Sequence, residues 1–555
     1  MGIAWLRSDK NLLLASFLAC LCCSCTHFHA RSPRDDIGLG GAGVKAEGVV
    51  CSVPVRASEE TPYGVTTNAL DDATPRNPQS EGGPLRITTE QATLLALENN
   101  RSLVVERLNP PISRTFVGER FSLFDPVLTG QLAYGWDRLT QGPADFDHSG
   151  PSAAVGVRDF LPTGTSLGVT GSASLLGLTG PPANDDNYAS TIAFNATQSL
   201  LRGFGSAVNL ASVNQAKIDV EISRYELRGF VQSLIAQVEE TYWDYALAER
   251  RIEIYRQSLE LAQRQLEETR ERIKVGDLAP TEQSAAEAEV ALRREALINA
   301  RSTLAKTKLT LLRLVNPPGA NLWDRDVVLA SLPTSPPITL DDVGPHVALA
   351  MQMRPDLNQA RLLWQRGELE IVKTRNGLLP KLDLFVTLGR TGFAESFGTS
   401  IAGSGDNGYS ALAGLAFEFP VWNRAAESRH LRAVLTRQQV KEAIGNLSQL
   451  IELDVRTAYL EIARSQEQVV ATAATRKLQE EKLRVETEKF RLGKSTSLLV
   501  AQAQRDLVSS QIDEVQAEVN YLKALVEMYR QEGSLLERRG IAGPGREPVK
   551  WPDES

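Results

Sequence analysis

Glu240-Thr241-Tyr242-Trp243-Asp244-Tyr245-Ala246 and Thr457-Ala458-Tyr459-Leu460-Glu461-Ile462-Ala463 open two stretches, 217 residues apart, that align without a gap. Tyr242 falls on Tyr459, Ala246 on Ala463, Leu261 on Leu478 and Gly276 on Gly493. The register places one long helix, one tip and one returning helix in each half, so the chain is an internal duplication. In the first copy a seven-residue track runs through Val238, Tyr245, Ile252, Leu259, Leu266 and Ile273. The second has Val455, Ile462, Val469, Leu483 and Phe490, with Arg476 interrupting. That repeat is shorter than two turns of an undistorted helix and implies left-handed supercoiling against neighbours. Helical pattern from near Ala207 to Val275 and from near Arg424 to Leu492 predicts spans on the order of 100 Å. A duplicated helical hairpin cannot bury its seam alone.

A formal charge of −8 gives no reason to expect nucleic acid. Both signs are interspersed along the helices, as in Glu267-Glu268-Thr269-Arg270-Glu271-Arg272, which reads as a solvated face. Four of the five cysteines, Cys20, Cys22, Cys23 and Cys25, lie near the start, so no disulfide framework is predicted. Arg7 and Lys10 followed by the apolar run Leu12 to Cys23 predict an export signal within residues 1–25. Phe17-Leu18-Ala19-Cys20 resembles a bacterial lipobox, with Cys20 as the acylated residue. Ser24-Cys25 is a second, poorer candidate, and a simple signal cleaved after Ala30 is the alternative. Residues 26–84 read as a flexible spacer and 533–555 as a disordered tail, both rich in Gly and Pro without a sustained period. Between them stand two structural repeats, 85–320 and 340–532, with a linker at 321–339.

Each repeat follows one order: an opening helix, two strand segments, the long helix, a tip and the return helix. The first opening helix is predicted from Thr88 to about Leu108, with Thr89 as its cap. The second runs from about Leu340 to Leu378, interrupted near Arg354-Pro355-Asp356-Leu357, and Pro110-Pro111 occupies a comparable stretch of the first, so both opening helices are expected to be broken or kinked there. The strand segments 126–136, 188–198, 381–390 and 409–419 alternate. Leu382, Leu384, Val386 and Leu388 face one way, and Asp383, Phe385, Thr387 and Gly389 the other. Similar stripes run through Leu128, Leu132, Tyr134 and Trp136, through Tyr188, Ile192, Phe194 and Ala196, and from Tyr409 to Phe419.

Runs of about ten residues suit a tilted strand crossing a bilayer, although the same alternation also fits a half-buried sheet in a soluble domain. Export, the absence of an apolar helical span and the length of the helices favour a closed barrel, which satisfies every backbone group in lipid. Four strands cannot close a barrel, so several chains must each contribute. The halves differ in one place: Pro126 to Tyr188 spans 62 positions and Pro380 to Tyr409 only 29. The surplus contains Ala153 to Phe160 and Thr165 to Leu175 around Leu161-Pro162-Thr163-Gly164. The preferred reading is an enlarged outward-facing hairpin; the sharper alternative is two additional barrel strands.

Further motifs are Gln198-Ser199-Leu200-Leu201-Arg202-Gly203-Phe204-Gly205, Phe419-Pro420-Val421-Trp422-Asn423, Arg272-Ile273-Lys274-Val275-Gly276 and Phe490-Arg491-Leu492-Gly493. In their combined order, over residues 85–532, they resemble the outer membrane efflux protein family, the channels of tripartite pumps and type I secretion systems. The resemblance implies a mainly α fold with membrane β: a shared trimeric β-barrel in outer membrane lipid and a long periplasmic coiled-coil α-barrel. It further implies a homotrimer in a Gram-negative-type bacterium. A periplasmic membrane fusion adaptor would join it to an inner-membrane transporter of RND, ABC or MFS class. Val275, Gly276, Asp277 and Leu278, with Leu492, Gly493, Lys494 and Ser495, would be the adaptor-docking tips. Some family members close the tunnel with acidic residues six and nine positions past the second tip glycine. Here Leu499 and Gln502 stand there, while Glu282 lies six past Gly276, so the gate candidates are Glu282, Leu498, Leu499 and Gln502.

The five histidines, His27, His29, His148, His346 and His430, are scattered, and Asp145, Asp147 and His148 read as a polar loop rather than metal ligands. No phosphate-binding glycine loop or nucleophile elbow is present in the sequence, so neither catalysis nor a cofactor or metal is predicted. Only four methionines argue weakly against a thioether-lined copper or silver path. The competing reading is an exported coiled-coil scaffold or the periplasmic adaptor itself. Two equivalent hairpins with paired alternating strands favour the channel.

Overall fold

Leu128, Val157, Val169, Phe194, Leu388 and Ala411 stand side by side across six neighbouring strands, and the next rung reads Thr129, Gly156, Thr170, Ala193, Gly389 and Ser410. Side chains opposite one another in an antiparallel ladder point to the same face, and successive rungs to opposite faces. Along these rungs one face of the sheet is therefore apolar from edge to edge, while the other presents small and hydroxylic residues. In the single chain the apolar face is bare: Leu128 is 73% exposed, Phe417 68% and Tyr409 90%. An uncovered apolar band of this width is at home in lipid.

The computed structural model describes residues 84–141, 144–180, 183–276, 278–318, 322–331, 341–394, 399–400 and 407–550. The export signal, Cys20, the spacer to residue 83, Asp277 and, of the 321–339 linker, residues 321 and 332–339 lie outside the described residues. The sheet consists of β2 (Val127–Gln141), β3 (Ala144–Phe160), β4 (Thr165–Gly180), β5 (Ala183–Ser199), β7 (Lys381–Ala394) and β8 (Asn407–Glu418), hydrogen-bonded in that order and antiparallel throughout. Two short strands, β1 (Leu85–Ile87) and β6 (Val327–Leu329), pair in parallel elsewhere. The preferred reading of residues 153–175 as an outward-facing hairpin is corrected: β3 and β4 are full strands of the sheet. Their Ser, Ala and Gly content weakens the local alternation, but the ladder continues through them. The turn between them docks at the helical end, where the main-chain N–H of Ser199 donates to Gly164 O at 3.1 Å, that of Gly205 to Thr163 O at 3.1 Å, and Asn209 Nδ2 to Pro162 O at 3.0 Å.

The opening region of the first half is three helices: α1 (Thr89–Asn99), α2 (Arg101–Glu106) and α3 (Asn109–Phe121). Thr88, rather than Thr89, caps α1. Its Oγ1 accepts from Gln91 N at 3.2 Å while Gln91 Oε1 accepts from Thr88 N at 3.1 Å, a reciprocal pair that only this register allows. Pro110 and Pro111 sit in the first turn of α3, where no intrahelical N–H is required, so they start a helix instead of kinking one. After β5 come a single turn, α4 (Ser206–Asn209), then the long α5 (Ala211–Lys274) and the returning α6 (Thr281–Val315). The second half repeats the plan with α7 (Val343–Met353), α8 (Pro355–Asn376), α9 (Arg424–Arg491) and α10 (Ser497–Gln531).

At 64 and 68 residues, α5 and α9 extend about 96 and about 102 Å. Val238 and Val455 are equivalent in the duplication and both are fully buried; Tyr245 and Ile462, one heptad on, are nearly so. Val238 and Tyr245 belong to a core shared with α6, α10 and the β1–β6 pair, where Tyr242 Oη donates to Ile87 O at 3.2 Å and Tyr245 Oη to Val327 O at 3.1 Å. Val455 and Ile462 pack with Ala350, Leu357 and Tyr521. The strand-to-helix corner of the first half is held by the helix-to-strand corner between α8 and β7: Leu200 N donates to Leu382 O at 2.7 Å, and Gly203 N to Asn376 Oδ1 at 2.8 Å.

The expected disorder from residue 533 is also corrected. A short helix, α11 (Leu535–Arg538), buries Leu535 and Leu536, and the chain then runs as a strap to Lys550. Side chains of α5 and α8 hold the strap by its main chain: Tyr225 Oη donates to Glu547 O, Arg361 Nη1 to Val549 O at 3.2 Å, and Asn358 Oδ1 accepts from Val549 N at 2.8 Å. Main-chain bonds of this kind are indifferent to the Gly and Pro content that suggested a loose tail. Arg228, wholly buried, donates to Glu537 Oε1 at 2.7 Å and to Gly533 O at 3.3 Å. Arg228→Ala is expected to cost about 2 kcal/mol of local stability and to expose the segment after Gly533 to limited proteolysis while the long helices stay protected. A tail that remains resistant would remove Arg228 as its anchor.

Candidate functional site

The ends of the two helical hairpins farthest from the sheet form the candidate site. At the first tip Val275 N donates to Glu271 O at 3.2 Å and Gly276 N to Ile273 O at 3.0 Å; at the second, Leu492 N donates to Glu488 O and Gly493 N to Phe490 O, at 3.1 and 3.0 Å. Gly276 and Gly493 lie at φ +82° and +71°, the left-handed conformation that lets a helix stop and reverse. A Cβ at either position would meet nothing within 4 Å, so the backbone conformation, not crowding, selects glycine. The second tip is closed further by Lys494 N donating to Lys489 O at 2.8 Å and Ser495 Oγ to Glu486 Oε2 at 2.9 Å. Val275 and Leu492 project into solvent, 78% and 70% exposed.

The tips are in contact with each other. Ser497 Oγ donates to Glu282 Oε2, and the Arg272 guanidinium lies over the Phe490 ring, 5.0 Å from its centroid. Glu282, read in sequence as a carboxylate pairing across an entrance, is thus tied to the other hairpin of its own chain. Leu498, Leu499 and Gln502 are exposed beside it, Leu278 is half-buried, and Lys494 stands in solvent. Sequence reasoning missed Ser497, Arg272 and Phe490 as a set. The duplication carried a signal for them: Ser497 is four residues past one tip glycine and Glu282 six past the other.

Above the tips each hairpin is laced by ion pairs. Arg270 Nη2 meets Glu287 Oε1 at 3.0 Å and Lys482 Nζ meets Asp506 Oδ2 at 2.7 Å. Hydrogen bonds from Gln283 and Arg270 hold the Glu287 carboxyl below the usual carboxylate range, and bonds from Lys489 and Ser495 do the same for Glu486. Both are ionised at neutral pH. These exposed pairs fix the pitch of each hairpin more than they stabilise it. Between the hairpins Gln504 Nε2 donates to Gln265 Oε1 at 2.9 Å, Arg251 Nη2 to Gln516 Oε1 at 2.7 Å and Lys523 Nζ to Asp244 Oδ1 at 2.6 Å. Of these, the Gln504–Gln265 bond lies toward the tips, where the contacts of Ser497 with Glu282 and of Arg272 with Phe490 also join the hairpins, whereas the Arg251 and Lys523 bonds lie farther up, beside the Tyr242 and Tyr245 core.

Residues 154–316 and 347–534, more than half of the chain, match the model of the outer membrane efflux proteins. The chain belongs to the outer membrane efflux protein family. Such channels sit in the outer membrane, extend into the periplasm, and as a family are trimeric and work with an adaptor and an inner-membrane transporter. The outer membrane efflux protein BepC of Brucella suis is 24% identical to this efflux channel over 363 residues, 64% of this chain and 74% of BepC. Among solved structures, the CmeC outer membrane channel of Campylobacter jejuni is similar with a TM-score of 0.61 at 13% identity, over 84% of this chain and 88% of CmeC. VceC of Vibrio cholerae gives 0.59 at 16% identity, over 80% and 96%. The open-state MtrE channel of Neisseria gonorrhoeae gives 0.58 at 16%, over 80% and 89%. At these identities the likeness to solved structures is one of fold.

Proposed function

We propose that this efflux channel is a passive exit duct, assembled as a homotrimer, exported by its first 25 residues and acylated at Cys20. The observation that carries the duct is the two-faced sheet continued by helices of about 100 Å, which joins a lipid-facing wall to a long water-filled tunnel. An inner-membrane transporter supplies the energy and a periplasmic adaptor holds the tips; the channel performs no chemistry. Val275, Gly276, Asp277 and Leu278, with Leu492, Gly493, Lys494 and Ser495, form the adaptor-docking ends: exposed loop tips on rigid scaffolds are suited to recognition.

Opening is a shift of one hairpin against the other between two packed arrangements. The contacts that must break are Ser497 with Glu282 and Arg272 with Phe490, with Leu498, Leu499 and Gln502 exposed beside them. Because these contacts are few and polar, adaptor binding has little to overcome. Glu282→Ala is expected to raise single-channel conductance in planar bilayers severalfold, and unchanged conductance would remove Glu282 from the gate. Gly276→Val and Gly493→Val, which strain the left-handed turn by about 1–2 kcal/mol, are expected to weaken crosslinking to the adaptor while the trimer persists. Full retention of crosslinks would refute the docking role.

A further inference from the structure

The sheet has two free edges, β2 and β8. Each uses its main-chain groups on one side only, β2 toward β3 and β8 toward β7, and leaves a second row of N–H and C=O groups directed away from the sheet. In lipid those groups have no water to bond, so an open edge there is not a stable state. The strands alternate in direction from β2 to β8, and with six of them the two edges run opposite ways. β8 of one copy thus meets β2 of the next as an antiparallel neighbour. The faces also agree: Leu128, Leu132 and Tyr134 on β2 and Tyr409, Leu415 and Phe417 on β8 all lie on the apolar side.

We infer that β2 of each copy pairs with β8 of the next and that three copies close a barrel of eighteen strands, with β3 and β4 as part of its wall. This rests on the trimeric reading above. The second half of the chain contributes two strands, β7 and β8, and the first half contributes four; an equal share from both halves would give a trimer of twelve. β3 and β4 earn their place in the wall by three features. Both rungs run through them unbroken, the apolar face continues over Val155, Val157 and Val169, and their turn lies at the helical end of the sheet, so each strand crosses the full height.

At a given tilt the circumference of a barrel grows with the number of strands, so eighteen strands make a lumen about one and a half times as wide as twelve. Its lining is of small and hydroxylic residues such as Thr129, Gly156, Thr170 and Ser410. A wide mouth of this kind does not select its cargo by size, and passage is decided at the tips. Full-length protein in lipid nanodiscs tests the inference: native mass spectrometry counts the chains, and cryo-electron microscopy counts the strands. The cysteine pairs Thr129, Gln131 or Ala133 with Leu412→Cys report the seam. Three chains, eighteen strands and at least one pair that crosslinks copies are expected. Three chains around a twelve-stranded wall, with β3 and β4 outside it, would overturn the inference and leave the trimer standing. Any other number of chains would overturn the trimeric reading itself, and the eighteen with it.

Discussion

A main chain in lipid has no water to bond, and the architecture follows from that constraint. Helices solve it internally; a sheet solves it only by closing. The apolar rung through Leu128, Val169 and Leu388 commits this sheet to lipid, and its two free edges then commit the chain to partners. The hydroxylic rung one residue along makes the interior wet. Closure by identical copies meets both demands at once, because the edges run oppositely and carry matching faces.

The helices inherit the same geometry. β5 passes into α5 through a corner that bonds to the corner between α8 and β7 of the other half, Leu200 to Leu382 and Gly203 to Asn376, and β8 passes into α9. The duplication is expressed at its core positions: Val238 and Val455 are both fully buried, each under the opening helices of its own half. Toward the tips the heptad track becomes only half-buried in the single chain, Leu259, Leu266 and Ile273 among its members, and polar contacts take over between the hairpins. The molecule is firmly packed near the membrane and loosely joined at its far end, which is where a gate has to move.

Much of this was legible in the residues. The offset of 217 fixed the two hairpins and their tip glycines, and the stripes at Leu382 to Leu388 and Tyr409 to Phe419 identified barrel strands. What was missed depends on partners far along the chain. β3 and β4 have an apolar side built partly from Gly171 and Ala173, too faint to weigh against a loop until the ladder through Val157 and Val169 is seen. The strap from Gly533 to Lys550 looked structureless because its order comes from Tyr225, Asn358 and Arg361 gripping its main chain. The Glu282–Ser497 contact joins positions 215 apart, and only the pseudo-symmetry of the tips hinted at it.

The most direct measurement compares two neighbouring positions on β4. Single cysteines at Val169 and Thr170, in the full chain reconstituted into vesicles, face lipid and lumen respectively if the sheet is the wall of a shared pore. A water-soluble maleimide should then modify Thr170→Cys readily and Val169→Cys at least tenfold more slowly, with a lipid-soluble maleimide reversing the preference. Equal modification of the two by the water-soluble reagent would contradict the account.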